Sequence, residues 1–233
     1  MACSALFFDL DHTLWDYDTN SAHTLRLLHK KFYLHERGVA VDHLIQVFHE
    51  VNTYLWDLTD RNLLSREAIR TERFHRVLTR LGIDNFRFSL ELSDYYLEEL
   101  PRQRGLMDGA VTLLEALHEK FKLVIITNGF DEIQGTKIQS AGIQHFFTDI
   151  ITSERAGDKK PSAGIFEFAL TQHSLTRHEV LMVGDNLLTD IAGAANAGIR
   201  SVFFNPQRAR IPHAATYEIS QLSELLPIIS GLN

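Results

Sequence analysis

The sequence has 233 residues, of which 45% are hydrophobic and 23% are charged, and its formal net charge is −7. This composition excludes an intrinsically disordered chain, and an acidic balance without long runs of Lys or Arg excludes a broad binding surface for a nucleic-acid polymer. With a single cysteine, Cys3, and no apolar stretch near the ~18 residues of a membrane span, we expect a cytoplasmic protein without disulfides or membrane contact.

Short apolar runs of strand length recur along the chain. They do not alternate with polar residues, which is typical of strands buried on both faces of a parallel sheet. These runs cover residues 5–8, 123–126, 180–183 and 201–204, and residues 149–152 are a fifth strand candidate, after a helical segment that Gly142 is expected to close. Segments with helical periodicity lie between them, with Asp108 and Ser162 as the expected N-caps of two helices. The alternation predicts an α/β fold with a doubly wound parallel sheet, that is, a Rossmann-like core.

Residues 16–102 interrupt this alternation. They show helical periodicity but no convincing strand, as in the apolar stripe Leu44, Phe48, Val51, Leu55 and Leu58. We therefore expect a Rossmann-like catalytic core formed by residues 1–15 and 103–233, with residues 16–102 inserted as an α-helical cap domain. Because such sheets bind ligands at the carboxyl ends of their strands, and the insertion follows the first strand, it is a candidate lid.

Two acidic groups follow two of the predicted strands. The first strand runs into Asp9-Leu10-Asp11-His12-Thr13, and Asp185 and Asp190 follow the strand at 180–183. Carboxylates this close repel unless a cation or proton compensates, although an isolated pair can also be a turn or a helix cap. Adjacent strands would bring the two groups together. Since Mg²⁺ prefers oxygen ligands and keeps several waters, the pattern predicts a magnesium site.

Two further elements favour binding of an anion at the same edge. Thr127-Asn128-Gly129 offers a hydroxyl and backbone N–H groups between a strand and a helix, which is the arrangement of an anion cradle. In Lys159-Lys160-Pro161, the proline can open a helix and direct a lysine back to the site. A solvated lysine pair is the alternative for the second element, but four such elements at four strand ends favour a shared site.

These four elements resemble the motifs of the haloacid dehalogenase superfamily, and the likeness covers the whole chain. Residues 9–13 look like its nucleophile motif, and Thr127 and Lys160 look like its second and third motifs. Residues 184–190 look like its acidic fourth motif. The insertion at 16–102 resembles the helical cap of one branch of the superfamily.

The resemblance implies a Mg²⁺-dependent phosphatase that forms an aspartyl phosphate. The residues that it implies are Asp9 as nucleophile, Asp11 as general acid and base, Thr127, Asn128 and Lys160 as phosphate ligands, and Asp9, Asp185 and the backbone carbonyl of Asp11 as metal ligands. Asp190 and Asn186 would support this group, with Asp190 orienting Lys160 or a metal-bound water. Asp11 favours phosphatases over dehalogenases, because a halide leaves without being protonated.

Parts of the insertion resemble the cap of pyrimidine 5′-nucleotidases, which act on dUMP, TMP and UMP. The residues concerned are Asn52, Trp56, Arg73 and Phe74. By this resemblance, Trp56 and Phe74 offer stacking surface, while Asn52 or Arg73 reaches the base edge. Equally, the two aromatic rings could belong to the core of the cap.

Other functions remain open at this point. A sugar phosphate phosphatase or a phosphomutase would use the same core residues. A protein of another class, a non-catalytic module that binds phosphorylated ligands, would have no need of the intact set of aspartates and lysine. We expect a monomer or homodimer whose partner is a small-molecule phosphate monoester.

Overall fold

The computed structural model describes residues 3–232, which divide into two compact units. One unit contains the chain up to Tyr17 and from Arg104 onward, and the other spans Asp18–Gln103. The second unit differs by only one or two residues at each end from the insertion expected at 16–102. None of the helices within residues 3–232 combines the length and the hydropathy of a membrane-spanning segment.

A six-stranded sheet organises the first unit, with the strand order β3-β2-β1-β4-β5-β6 and every neighbouring pair parallel. Its strands are β1 Ala5–Phe8, β2 Lys122–Thr127, β3 Asp149–Thr152, β4 Val180–Gly184, β5 Arg200–Phe204 and β6 Tyr217–Ile219. The parallel α/β sheet and the first five strands are thus confirmed. The sequence missed β6, because this three-residue strand is only partly buried and has no continuous apolar run.

Helices surround the sheet, and their starts correct two expectations. They are α5 Ala110–Leu117, α6 Asp131–Ser140, α7 Ser153–Ala156, α8 Ala163–Gln172, α9 Ala192–Asn196 and α10 Leu225–Ser230. Ser162 caps α8 by accepting a hydrogen bond from the Gly164 N–H at 3.3 Å, so Pro161 precedes this helix rather than opening it. The expected Asp108 cap is wrong, since Gly109 holds the cap position of α5 with a φ of 77°.

The middle of the sheet is apolar on both faces. All four residues of β1 are fully buried, because β2 and β4 flank the strand and side chains of α8 and α9 cover it. Phe7, Met182 and Phe166 belong to this core. Since β1 lies between β2 and β4, the residues that follow these three strands are neighbours at one edge of the sheet.

The second unit is helical. Its helices are α1 Tyr17–Lys31, which begins at the boundary residue, α2 Val41–Asp60, α3 Arg66–Arg80 and α4 Phe86–Glu99. Ser65 and Asn85 cap α3 and α4 through side-chain oxygens that accept backbone N–H groups. The core of this unit contains an aromatic cluster of Phe48, Phe74 and Tyr96, whose ring centroids lie 4.8 to 5.5 Å apart.

We predict that Phe166→Ala destabilises the sheet unit by about 3–5 kcal/mol, because it removes a fully buried ring and leaves a cavity. Val111→Ala, on the exposed side of α5, is the control and should change the free energy of unfolding by less than about 0.5 kcal/mol. Urea unfolding followed by circular dichroism measures both. Equal effects of the two substitutions would contradict the assignment of Phe166 to the core.

Candidate active site

Lys160 lies between two carboxylates at the carboxyl end of the sheet. Its Nζ is 2.6 Å from Asp9 Oδ1 and 2.6 Å from Asp190 Oδ1, and it donates to the Ile126 carbonyl at 2.8 Å. The side chain is 2% exposed. Burial opposes the charged ammonium, but the Asp190 and Asp9 carboxylates together raise the pKa of Lys160 above its usual value. All three N–H donors of this lysine therefore have acceptors, and it stays charged.

The backbone fixes both carboxylates. Asp9 extends the β1–β4 pairing, since its N–H donates to the Val183 carbonyl at 2.9 Å. Asp190 lies in a helical turn after β4, and its Oδ2 accepts the Asn186 N–H at 3.0 Å. A Cβ at Gly184 would overlap the Asp190 side chain, so this close approach requires glycine. Asn186 caps the turn through its side-chain oxygen.

Asp185 completes the acidic group. Its Oδ1 accepts a hydrogen bond from Thr13 Oγ1 at 3.2 Å. Burial raises the pKa of Asp185 to about 7, with a further contribution from the Asp190 charge. Burial also raises the pKa of Asp9 well above its ordinary value, although the Lys160 ammonium opposes this shift. These carboxylates are costly to ionise in the protein alone, which is the condition that a bound cation relieves.

The acidic group fits a hard divalent cation. Asp9, Asp185 and Asp190 each offer an oxygen within 4.8 Å of the others. With all three ionised, Lys160 leaves a surplus of two negative charges. One Asp190 oxygen accepts a hydrogen bond from Lys160 and the other accepts the Asn186 N–H, so the metal ligands would be Asp9 and Asp185. Oxygen ligands and this charge suit Mg²⁺.

The expected anion cradle lies at the end of β2, beside Asp9. Thr127 Oγ1 accepts the Gly129 N–H at 3.0 Å. The Asn128 side chain makes two 2.9 Å hydrogen bonds with the Lys160 backbone, one as donor and one as acceptor. These bonds join the second and third sequence motifs.

Asp11 does not join the Lys160 network. Its two carboxylate oxygens lie 2.6 and 2.7 Å from Lys137 Nζ, on helix α6. Gln134, one turn earlier, is 3.4 Å from Asp11 Oδ2 and 3.4 Å from Thr127 Oγ1. Sequence reasoning missed both α6 residues. The available signal was the spacing of two polar residues by three positions on the helix that follows the Thr127 strand.

The four expected specificity residues occupy different environments in the helical unit. Phe74 is fully buried against Phe48 and Tyr96, so its ring belongs to the core and is not available for stacking on a base. Trp56 is half-buried. Arg73 is buried, and its Nη1 donates to Asn52 Oδ1 at 3.2 Å.

Comparison with known proteins adds the family context. The family model described as haloacid dehalogenase-like hydrolase matches residues 3–198. The crystal structure of the HAD-hydrolase YfnB from Bacillus subtilis, bound to magnesium, is similar with a TM-score of 0.86. That protein is 30% identical in sequence, and the match covers 99% of this chain and 100% of that one.

Relatives with assigned substrates include pyrimidine nucleotidases and a phosphatase of a sugar phosphate. The pyrimidine 5′-nucleotidase YjjG of Escherichia coli is 30% identical over 94% of this chain and 95% of its own length. The pyrimidine 5′-nucleotidase PynA of Streptococcus pneumoniae is 31% identical over 95% and 92%, respectively. The N-acylneuraminate-9-phosphatase of Mus musculus is 27% identical over 98% of this chain and 94% of its own length.

We predict that Mg²⁺ raises the thermal midpoint more at pH 8 than at pH 5. The pKa of Asp185 is raised in the fold to about 7, so its contribution to stability is present below its ordinary pKa of 3.8 and is lost as the pH rises through about 7. A bound cation offsets this loss. At a concentration 100 times the dissociation constant, it would contribute about 2.7 kcal/mol.

Differential scanning fluorimetry, with and without EDTA, measures this effect. Asp185→Asn should abolish most of the Mg²⁺-dependent rise, whereas the exposed-site control Asp108→Asn should retain it. An undiminished Mg²⁺ response in Asp185→Asn would contradict the proposed ligand set.

Proposed function

The chain belongs to the haloacid dehalogenase-like hydrolases and is a phosphoric monoester hydrolase, and we propose that it is a magnesium-dependent 5′-nucleotidase acting on pyrimidine nucleoside monophosphates. The catalytic part of this proposal rests on the different contacts that the two motif aspartates, Asp9 and Asp11, make. Asp9 contacts Lys160 and lies beside Asp185 and Asp190, whereas Asp11 contacts Lys137. These different surroundings support Asp9 as the nucleophile and Asp11 as the group that transfers a proton.

In the proposed first step, an Asp9 oxygen attacks phosphorus, and the bond from phosphorus to the leaving oxygen breaks. Asp11, acting as the acid, gives a proton to that oxygen, so the product leaves as a neutral alcohol. In the second step, Asp11 takes a proton from water, which attacks the aspartyl phosphate and releases inorganic phosphate. Asp9 is regenerated. The covalent intermediate divides one difficult displacement into two easier ones.

The surrounding groups stabilise the charge of the phosphoryl group. Mg²⁺ bound by Asp9, Asp185 and the Asp11 carbonyl would supply a Lewis acid for a phosphoryl oxygen. Thr127 and the backbone of Asn128 lie at the neighbouring strand end, where oxygen atoms of an anion can be bound. Lys160 keeps Asp9 and Asp190 together and adds a positive charge beside the nucleophile.

Selectivity for the leaving group is proposed for the helical unit, because the core residues recognise only phosphate and metal. Arg73 supports this assignment. Its Nε and Nη2 are buried and have no hydrogen-bond partner within residues 3–232. Each such donor costs about 1–3 kcal/mol. A pyrimidine carbonyl oxygen would relieve this cost, with Asn52 holding the guanidinium and Trp56 offering a ring for stacking.

A sugar phosphate is the second candidate substrate. The N-acylneuraminate-9-phosphatase of Mus musculus, similar over nearly the whole chain, is the observation that favours it. The same unsatisfied donors of Arg73 would bind a carboxylate or hydroxyl oxygen of a sugar. The two nucleotidase relatives have the higher identities, and for this reason we place the nucleotide first.

We predict that Asp9→Asn and Asp11→Asn both lose turnover while remaining folded. An amide in place of the Asp9 carboxylate is a poor nucleophile. An amide in place of the Asp11 carboxylate cannot transfer a proton, which is worth roughly 10²–10⁴-fold in rate. Phosphate release from UMP measures the loss, with circular dichroism as the test of folding. Full activity of either purified variant would overturn the proposed mechanism.

We further predict that kcat/KM is higher for dUMP, TMP or UMP than for AMP or GMP, because a cap fitted to a pyrimidine excludes the larger purine. Trp56→Ala should raise KM more than it lowers kcat, since stacking is worth roughly 1–3 kcal/mol and contributes to binding. Steady-state kinetics on these nucleotides and on a sugar phosphate make the comparison. If the sugar phosphate is the best substrate and Trp56→Ala leaves nucleotide turnover unchanged, the nucleotidase proposal fails and the phosphatase assignment stands.

A further inference from the structure

We infer that Lys137 is a positioning residue for the acid and base steps, acting through the carboxylate of Asp11. This inference rests on the proposed phosphatase mechanism. Lys137 is on helix α6, 126 positions away from Asp11 along the chain, and its side chain is 4% exposed. A buried ammonium needs a fixed counter-charge, and Asp11 is the carboxylate that it contacts.

The geometry restrains the orientation of the carboxylate as well as its position. Lys137 Nζ is nearly equidistant from the two Asp11 oxygens, at 2.6 and 2.7 Å. A contact to a single oxygen would leave the carboxyl group free to rotate, whereas contacts to both oxygens restrict rotation about the Cβ–Cγ bond. The Asp11 side chain is still 26% exposed. It is therefore held in place and remains accessible to a leaving group or a water.

Lys137 is itself held by aromatic rings from the segment that carries Asp11. Its Nζ lies 4.5 Å from the ring centroid of Trp15 and 5.8 Å from that of Tyr17. Trp15 is fully buried, and its backbone closes the turn after β1 by accepting the His12 N–H at 2.9 Å. The ammonium thus has two carboxylate oxygens and a ring face around its three N–H groups. These contacts leave it poorly placed to act as a phosphate ligand.

Gln134 supplies a second restraint from the same helix. Its Nε2 is 3.4 Å from Asp11 Oδ2 and 3.4 Å from Thr127 Oγ1, so it connects the acid with the anion cradle. A Cβ at Gly129 would overlap the Gln134 side chain, so this packing requires glycine in the cradle. Helix α6 therefore fixes the acid relative to the place proposed for phosphate.

The consequence is a specific kinetic pattern. A misplaced Asp11 hinders protonation of a poor leaving group such as a nucleoside 5′-hydroxyl, and small displacements of a catalytic group can cost ~10²-fold. The leaving group of 4-nitrophenyl phosphate departs as a stable phenolate and needs little help from an acid. A residue that only stabilises the fold would lower turnover of both esters by the same factor.

The test compares kcat/KM of Lys137→Met on UMP and on 4-nitrophenyl phosphate. The parameter kcat/KM reports the transfer of the phosphoryl group to Asp9, the step in which Asp11 is the acid. We expect a loss of about 10–100-fold on UMP and of less than about threefold on the aryl ester, with KM nearly unchanged. Lys137→Gln, which keeps an N–H donor, should lie between wild type and Lys137→Met. Equal losses on the two esters would overturn the inference.

A double substitution tests whether Lys137 acts only through Asp11. Adding Lys137→Met to Asp11→Asn should change kcat/KM on UMP by less than about twofold, because the group that it positions is already disabled. If Lys137→Met lowers kcat/KM of Asp11→Asn by the same factor as it lowers kcat/KM of the wild type, the inference is overturned. Activity in Asp11→Asn equal to wild type would instead refute the proposed acid, whatever the outcome for Lys137.

Controls separate function from folding. Lys122→Met removes a lysine at the start of β2, where Nζ donates to the His173 carbonyl at 3.2 Å, and should leave the ratio of the two esters at its wild-type value. Thermal unfolding and circular dichroism identify variants that fail to fold. If Lys137→Met fails to fold, the Lys137→Gln kinetics decide, and an unchanged ester ratio in that variant overturns the inference.

Discussion

The buried contact between Lys160 and the carboxylates of Asp9 and Asp190 is the constraint to which the site conforms. Parallel pairing of β1 with β4 places acidic residues side by side where the apolar sheet ends, and little water is available to separate their charges. The segment before α8 must therefore close onto the sheet so that its lysine reaches them. The Asn128 amide joins that segment to the end of β2, and Gly184 gives Asp190 the room to approach.

Each aspartate of the Asp9-Leu10-Asp11 motif has its own lysine, brought by a different part of the chain. Lys160 compensates the charge of Asp9, which belongs to the acidic group, and Lys137 contacts Asp11, which does not. Two residues of similar chemistry thereby receive different surroundings, although only one residue separates them in sequence. Different surroundings are what nucleophilic attack and proton transfer require of two carboxylates.

The helical unit combines an aromatic core with a buried guanidinium, that of Arg73, which is only partly hydrogen-bonded among the described residues. Phe48, Phe74 and Tyr96 pack together as core, and Arg73 lies over two of these rings, 5.4 Å from the Phe48 centroid and 4.8 Å from that of Tyr96. The aromatic rings stabilise a buried guanidinium that has only Asn52 Oδ1 as a hydrogen-bond acceptor among the described residues. Such an arrangement is poor for stability alone, and it is the observation that supports the proposed recognition of a ligand oxygen by Arg73.

The sequence by itself determined the sheet core, the helical insertion and which acidic and polar residues follow the strands. These features follow from local patterns: non-alternating apolar runs, helical periodicity and polar residues directly after strands. Tertiary structure alone decided which groups pair. Lys137 and Asp11 are far apart in sequence, Phe74 is core because of the rings around it, and Asn128 bonds a distant backbone. Such contacts depend on packing between elements, which periodicity within one element does not encode.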